Sequence, residues 1–160
     1  GLGRAIRTWT DGLEWTRSLP SEHLVEHLLR GLVLNFAVER DDLPMALVGC
    51  RDAVQRAVDD HYVAGTSHLF GVTAIALCRA GDAATAALLV GSMIDHGHLP
   101  RPNARRALEE ALQTTDLDDH LAAGRGLSVT RAANLAIAAL DAALAAAPDE
   151  NTPTPTTSTP

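Results

Sequence analysis

The stretch SEHLVEHLL, residues 21–29, places His23, Glu26 and His27 in the order H-x-x-E-H. Two histidines four positions apart lie on one face of a helix, where both imidazoles can reach one zinc ion. The pattern is that of a family of zinc proteases, the inverzincins. Zinc-dependent hydrolysis at His23, Glu26 and His27 is therefore the first chemistry that residue types and spacing indicate.

The helix that would carry this pattern is amphipathic. The apolar residues between Leu24 and Phe36 form one stripe, and His23 and His27 lie on the opposite side. Glu26 and Arg30 are spaced for an i,i+4 ion pair on that polar side. A catalytic zinc also needs a third protein ligand and a walled cleft, which no neighbouring residue indicates. We predict a solvated polar face with no catalytic residue, metal or cofactor. Adventitious zinc or nickel binding by the two histidines remains an alternative.

The composition favours helices. The chain has 160 residues, of which 46% are hydrophobic and only 3% aromatic, and its apolar content is mostly Ala, Leu and Val. These residue types favour closely packed helices over a sheet sandwich. The net charge of −7 argues against non-specific nucleic-acid binding, since an acidic surface repels phosphates.

The cysteines and the hydropathy of the sequence indicate the cellular compartment in which we expect the protein. Cys50 and Cys78 both lie in apolar runs, and two such thiols behave as small buried hydrophobes, which fits a reducing, cytoplasmic setting. No run of about eighteen uncharged apolar residues occurs, so we expect no membrane span. The chain begins Gly1-Leu2-Gly3 without Met, and we expect it to be a segment of a longer protein.

Helical periodicity interrupted by breakers predicts an all-α domain over residues 1–147. A Pro- and Thr-rich tail follows at 148–160, and its composition predicts disorder. We expect the loop at 96–102 and a break at 124–127, with Ser128 capping the last helix. The predicted helices span about 3–18, 21–40, 43–61, 62–80, 83–95, 103–113, 116–123 and 128–147.

Part of the sequence repeats with an offset of 40 residues. VERDDLPMALVGC, residues 38–50, aligns with CRAGDAATAALLV, residues 78–90. Asp42 falls on Asp82, which follows Gly81 in a two-residue turn, and Ala46 falls on Ala86. Two antiparallel helices joined by a tight turn approach closely just beyond it, which requires a small side chain at Ala46 and Ala86. This predicts antiparallel helix pairs stacked as a short α-solenoid or bundle, with chance similarity of two Ala-rich helices as the alternative.

The segments at 81–112 and 120–140 resemble the end of the tetratricopeptide-like region of actinobacterial regulators. The similarity covers about residues 60–147 and consists of a G-D-x-x-x-A-A-x-L-x-G segment, a Pro-containing loop and G-x-x-L-S before an Ala-rich helix. Those regulators join an ATPase core to an adenylate-cyclase or LuxR-type DNA-binding domain. Nothing in this chain matches the phosphate loop, the cyclase carboxylates or the helix-turn-helix, so the resemblance implies a regulatory or scaffolding arm.

Five further histidines lie outside the H-x-x-E-H pattern. His96 and His98 could form half a metal site or a pH-sensitive hinge, but exposed loop histidines are the simpler interpretation. His61, His68 and His120 are isolated in sequence from any set of a carboxylate and a nucleophile.

A cluster of arginines follows the loop. Arg105 and Arg106 are spaced to pair with Glu109 and Glu110, and together with Arg101 they form a charged face. That face is solvated in the simpler interpretation, and the alternative is that it meets an acidic patch of a partner.

These observations predict a non-catalytic helical-repeat module in bacterial signalling or transcriptional regulation. Its expected partner is another protein or the ATPase domain of its own parent, without direct contact to nucleic acid or membrane. A zinc hydrolase using His23, Glu26 and His27, and a small-ligand-binding helical bundle, are the alternatives. The sequence leaves the oligomeric state open.

Overall fold

A computed structural model describes residues 42–146. This part of the chain contains six helices and no strand, which confirms the all-α fold class. Every helix predicted within it is present, with ends shifted by at most two residues. The helices are α1 (Leu43–Asp59), α2 (Val63–Arg79), α3 (Ala83–Asp95), α4 (Pro102–Ala111), α5 (Thr114–Arg125) and α6 (Val129–Ala146).

Short polar side chains begin three of the helices. Asp42 accepts a hydrogen bond from the Met45 amide at 3.2 Å, and Asp82 accepts one from Thr85 at 3.1 Å. Ser128 caps α6 as predicted, since its Oγ accepts from the Arg131 amide at 3.2 Å. Each cap satisfies an amide that has no partner within its helix. Asp42 and Asp82, which the repeat aligns, therefore have the same structural role.

The first three helices also end alike. In each, a residue with positive φ follows the last turn: His61 (53°), Gly81 (92°) and Gly97 (83°). The amide after that residue donates to a carbonyl five positions earlier, as from Asp82 to Leu77 at 2.9 Å. This is the Schellman arrangement, which reverses the chain direction sharply and satisfies the terminal carbonyls. His61 and Gly81 are 20 residues apart, half of the repeat seen in the sequence.

Helix α2 is the centre of the described bundle. It packs against α1, α3, α4 and α6, and Gly65 to Leu77 are buried with the exception of His68. A helix with neighbours on so many sides must be apolar nearly all round, and the sequence GTSHLFGVTAIAL meets that requirement. Phe70 and Leu77, fully buried, are among its largest core side chains.

Helix α6 closes the bundle. It packs against α1, α2 and α3, and Arg51 on α1 pairs with Asp141 on α6 at 3.0 Å. In a linear solenoid each unit contacts only its neighbours, whereas here the first and last described helices touch. The described part is therefore a closed helical bundle, and the solenoid arrangement stays a prediction.

By length and composition alone, α6 is the one described helix that could cross a membrane. A core helix of a soluble bundle meets the same criterion, and α6 packs Val129, Ala133 and Leu140 into the core. Its exposed side carries Arg131 and Asp141.

One predicted boundary lies two residues too early. The break expected at 124–127 is present at Gly126 and Leu127, but Gly124 and Arg125 belong to α5, which ends at Arg125. Gly124 is buried against α3, so its lack of a side chain serves helix packing there. The predicted helices upstream of residue 42 and the predicted tail at 148–160 lie outside the described residues.

Candidate functional site

Two glycines bring α3 and α5 into backbone contact. A Cβ atom on Gly91 of α3 would overlap the Leu121 carbonyl oxygen and lie 2.9 Å from the Gly124 Cα. A Cβ on Gly124 of α5 would in turn overlap the Leu88 carbonyl oxygen. No side chain fits between the helices at this crossing, so glycine is required at both positions.

Other residues of these two crossing helices line one wall of an open cavity of about 270 Å³, which we call the α3–α5 groove. Helix α4 and Pro100 form the other wall. Most of the lining surface is apolar, from Val90, Ile94, Leu108, Leu117 and Leu121.

Charged side chains of both signs surround the α3–α5 groove. Arg105 pairs with Glu109 at 2.8 Å along α4, and Asp118 and Arg125 lie on the α5 side. All four residues are exposed. The groove therefore combines an apolar floor with a mixed-charge rim.

A second cavity, of about 390 Å³, lies between the end of α2 and α4. Its lining includes Cys78, Arg79, Asn103, Arg106 and Glu110. Arg106 and Glu110 pair at 3.7 Å, as their spacing predicted. The cavity is large enough for a small molecule and has polar groups along its edge.

Neither cysteine is activated for chemistry. Burial raises the pKa of Cys50 to about 12, although the Thr73 hydroxyl opposes part of that rise. Burial together with Asp82 raises the pKa of the half-buried Cys78 to about 11. Both remain protonated thiols at neutral pH, and thiols are poor nucleophiles. The prediction that they act as small hydrophobes fits these environments.

The structure brings together two histidines that the sequence left apart. The rings of His68 on α2 and His98 after α3 lie with centroids 5.8 Å apart in an edge-to-face arrangement. They are 30 residues apart in sequence, and only the return of the chain at Gly97 places them side by side. Neighbouring Ser67 is buried while His68 is exposed, so the two do not form a catalytic pair.

The other loop histidine is held within its own turn. His96 Nδ1 is 2.7 Å from the Ser92 carbonyl oxygen, at the end of α3. Among residues 42–146 no group of three or more His, Cys, Asp or Glu side chains could hold a metal ion.

Several predicted site residues can be located. Ala46 and Ala86 are buried, at 1% and 0% exposure, four residues after their Asp caps; their role at a close helix approach stays a prediction. Gly81 and Asp82 form the turn between α2 and α3. His23, Glu26 and His27 lie outside the described residues. The two glycines of the crossing were missed because contact between α3 and α5 depends on tertiary packing.

No protein-family model, curated protein or solved structure matches this chain. The resemblance to the helical arm of actinobacterial regulators remains an expectation from the sequence.

Proposed function

We propose that this chain is a non-catalytic, helical-repeat interaction module of a larger bacterial regulatory ATPase that acts in the cytoplasm. The observation that supports this proposal best is the α3–α5 groove, with its apolar floor and its rim of both charge signs. Grooves of this kind between helices accept the apolar face of an amphipathic partner helix.

The rim specifies the charge pattern of the partner. Arg105 is already paired with Glu109, whereas Asp118 and Arg125 make no ion pair within the described part of the chain. A helix that lays Leu or Ile side chains on Leu117 and Leu121 would place a basic residue near Asp118 and an acidic one near Arg125. Such rim charges set orientation and association rate more than affinity. The proposed occupant is an amphipathic helix of the parent's ATPase domain.

A binding measurement with that ATPase domain tests the proposal. Charge reversal at Asp118→Arg and Arg125→Glu should weaken binding by about tenfold or more, because each creates a like-charge contact at the rim. Both residues are exposed, so the fold should survive, which circular dichroism can verify. Arg131→Glu on α6 is the control, being an exposed arginine outside the groove lining. Equal affinity for all variants, or no binding by the wild type, would refute the groove as the interaction site.

The cavity between α2 and α4 supports a second candidate function, the binding of a small molecule. Its volume of about 390 Å³ falls in the range of ligand pockets, and Asn103 supplies an amide at its edge. Filling it with Ala107→Trp should abolish the thermal stabilisation given by any ligand that binds there. A ligand that stabilises the wild type and the variant equally would exclude this cavity.

The zinc-hydrolase alternative has its own test. Zinc titration of the wild type and of the His23→Ala/His27→Ala double variant measures whether the pair holds metal. Tight stoichiometric zinc binding that the double variant loses would support the hydrolase. Weak zinc binding would mean that His23 and His27 hold the metal only adventitiously.

A further inference from the structure

Three basic side chains meet where the loop after α3 crosses α2: His68, His98 and Arg101, which we call the basic cluster. The two imidazole centroids are 5.8 Å apart, and Arg101 lines the same small cavity as His68. The backbone fixes the position of His98, whose amide donates to the Met93 carbonyl at 3.0 Å in the Schellman turn. The cluster is thus built on a hydrogen-bonded turn and a core helix.

Arg101 differs from the two arginines that follow it. Arg105 and Arg106 each pair with a glutamate one turn later, at 2.8 and 3.7 Å. Arg101 forms no ion pair or hydrogen bond within residues 42–146 through its guanidinium. Its charge is therefore not compensated by the described part of the molecule.

No carboxylate compensates these groups at His68 either. The charged groups that act on His68 are His98 and Arg101, and partial desolvation joins them in lowering the pKa of His68. Among the described residues, no acidic side chain on a helix that packs against α2 contributes to this lowering of the His68 pKa. Like-signed groups repel when they are brought together, and a bound counter-ion of opposite charge is the usual way to relieve that repulsion.

We propose that the basic cluster binds a small tetrahedral oxyanion, such as a phosphate group. Arg101 can donate two parallel hydrogen bonds to such an anion, and each protonated imidazole can donate one more. A metal cation is disfavoured, since only two imidazoles face each other and Arg101 would repel it. A small cavity of about 40 Å³ adjoins the cluster between His68, Arg101 and Asn103. This site is separate from the α3–α5 groove and does not depend on its function.

The ligand can be free phosphate or the phosphate of an organic ester. Leu99, the most exposed large apolar side chain described (83%), also lines the small cavity. An ester with an apolar group would cover Leu99 while its phosphate meets the basic cluster. The anion favours the protonated imidazoles, but a phosphate itself takes up a proton near about pH 6, so the pH dependence of the site is measured with an anion that keeps its charge.

Calorimetric titration with sulfate tests the site, because sulfate keeps its two charges between about pH 6 and pH 8, so that any pH dependence belongs to the protein. We expect saturable binding that is several-fold tighter at the lower pH. His98→Gln should weaken it about tenfold, through the loss of one charge-assisted hydrogen bond, and Arg101→Gln should weaken it by more than about tenfold, since it removes two. Arg105→Gln and His120→Gln are matched controls outside the basic cluster and should leave it unchanged.

A comparison of the affinities for phenyl phosphate and inorganic phosphate then distinguishes an organic phosphate ester from the free phosphate ion as the ligand. Tighter binding of the ester, lost in Leu99→Ser, would indicate an organic phosphate, and equal binding would indicate the free ion. Absence of saturable sulfate binding at about pH 6 would overturn the proposal. Equal weakening by the control variants would overturn it as well, since it would reveal only the overall charge of the molecule.

Discussion

At the scale of single residues, backbone conformation and unpaired polar groups decide what each position tolerates. Gly81 and Gly97 have positive φ, and a Cβ at either would meet no atom within 4 Å. His61 adopts the same conformation with a full side chain. The glycines could be identified as breakers from the sequence, whereas histidine is enriched at positive φ only several-fold, too little to single out His61. Only its 20-residue offset from Gly81 does.

Substitutions at these turns should change stability in opposite directions. Gly81→Ala should lower the free energy of unfolding by about 1 kcal/mol, because alanine is strained at positive φ. His61→Gly should raise it by up to about 1 kcal/mol by removing the same strain. Urea unfolding of the two variants measures both effects. Changes of equal sign would mean that His61 and Gly81 do not share a conformation.

A second residue-scale prediction concerns Thr73. Its hydroxyl is fully buried and has no well-formed hydrogen bond; the polar group on which it acts is the Cys50 thiol, a weak partner. Thr73→Val should stabilise the protein by about 1 kcal/mol, because valine has the same shape without the desolvated hydroxyl.

Thr66 is the control, since it lies on the same helix, is buried to 2% exposure and donates to the Tyr62 carbonyl at 2.8 Å. Thr66→Val should cost about 1 kcal/mol by the loss of that bond. Thermal melting distinguishes the two, and a destabilised Thr73→Val variant would indicate a partner for that hydroxyl.

At the scale of helices, local sequence signals were sufficient to predict where most of the helices begin and end. Ser128 was predicted as a helix cap because a short polar side chain before an apolar periodic run marks a helix start. Asp42 and Asp82 were predicted only as turn residues, although the same signal precedes their helices. A buried alanine lies four residues after each of these three residues: Ala46, Ala86 and Ala132. Ala132 was not anticipated, since α6 lacks the acidic turn that made the repeat visible.

Enlarging these alanines tests the packing of the first helical turns. Ala46→Leu and Ala86→Leu should each cost on the order of 1–3 kcal/mol, because a core without free space must shift to admit three more carbons. Ala142→Leu, at an exposed position of α6, is the matched control and should change stability little. The urea concentrations at the unfolding midpoint, at equal m-values, compare the stability of each variant with that of the wild type. Wild-type midpoints for both core variants would mean that the helices do not approach closely there.

At the scale of the whole molecule, the helix set was predictable but the assembly was not. Periodicity and breakers predicted six helices within residues 42–146. Three contacts join residues at least 30 positions apart. They are the closure of α6 on α1, the pairing of His68 with His98 and the crossing of Gly91 and Gly124. No local pattern encodes such contacts, and Gly124 was taken for a break because glycine favours both breaks and close crossings.

The two helices that line one wall of the α3–α5 groove cross in backbone contact, and two buried glycines allow a direct test of that contact. Gly71 in α2 has room for a Cβ, with Met93 Sδ at an ordinary 3.5 Å, while Gly124 in α5 has none. Gly71→Ala should therefore raise the free energy of unfolding by up to about 1 kcal/mol through helix propensity. Gly124→Ala should lower it by about 3 kcal/mol, since backbone atoms cannot move aside as a side chain can. Equal stabilisation of both variants in urea unfolding would contradict the crossing and the groove that its two helices line.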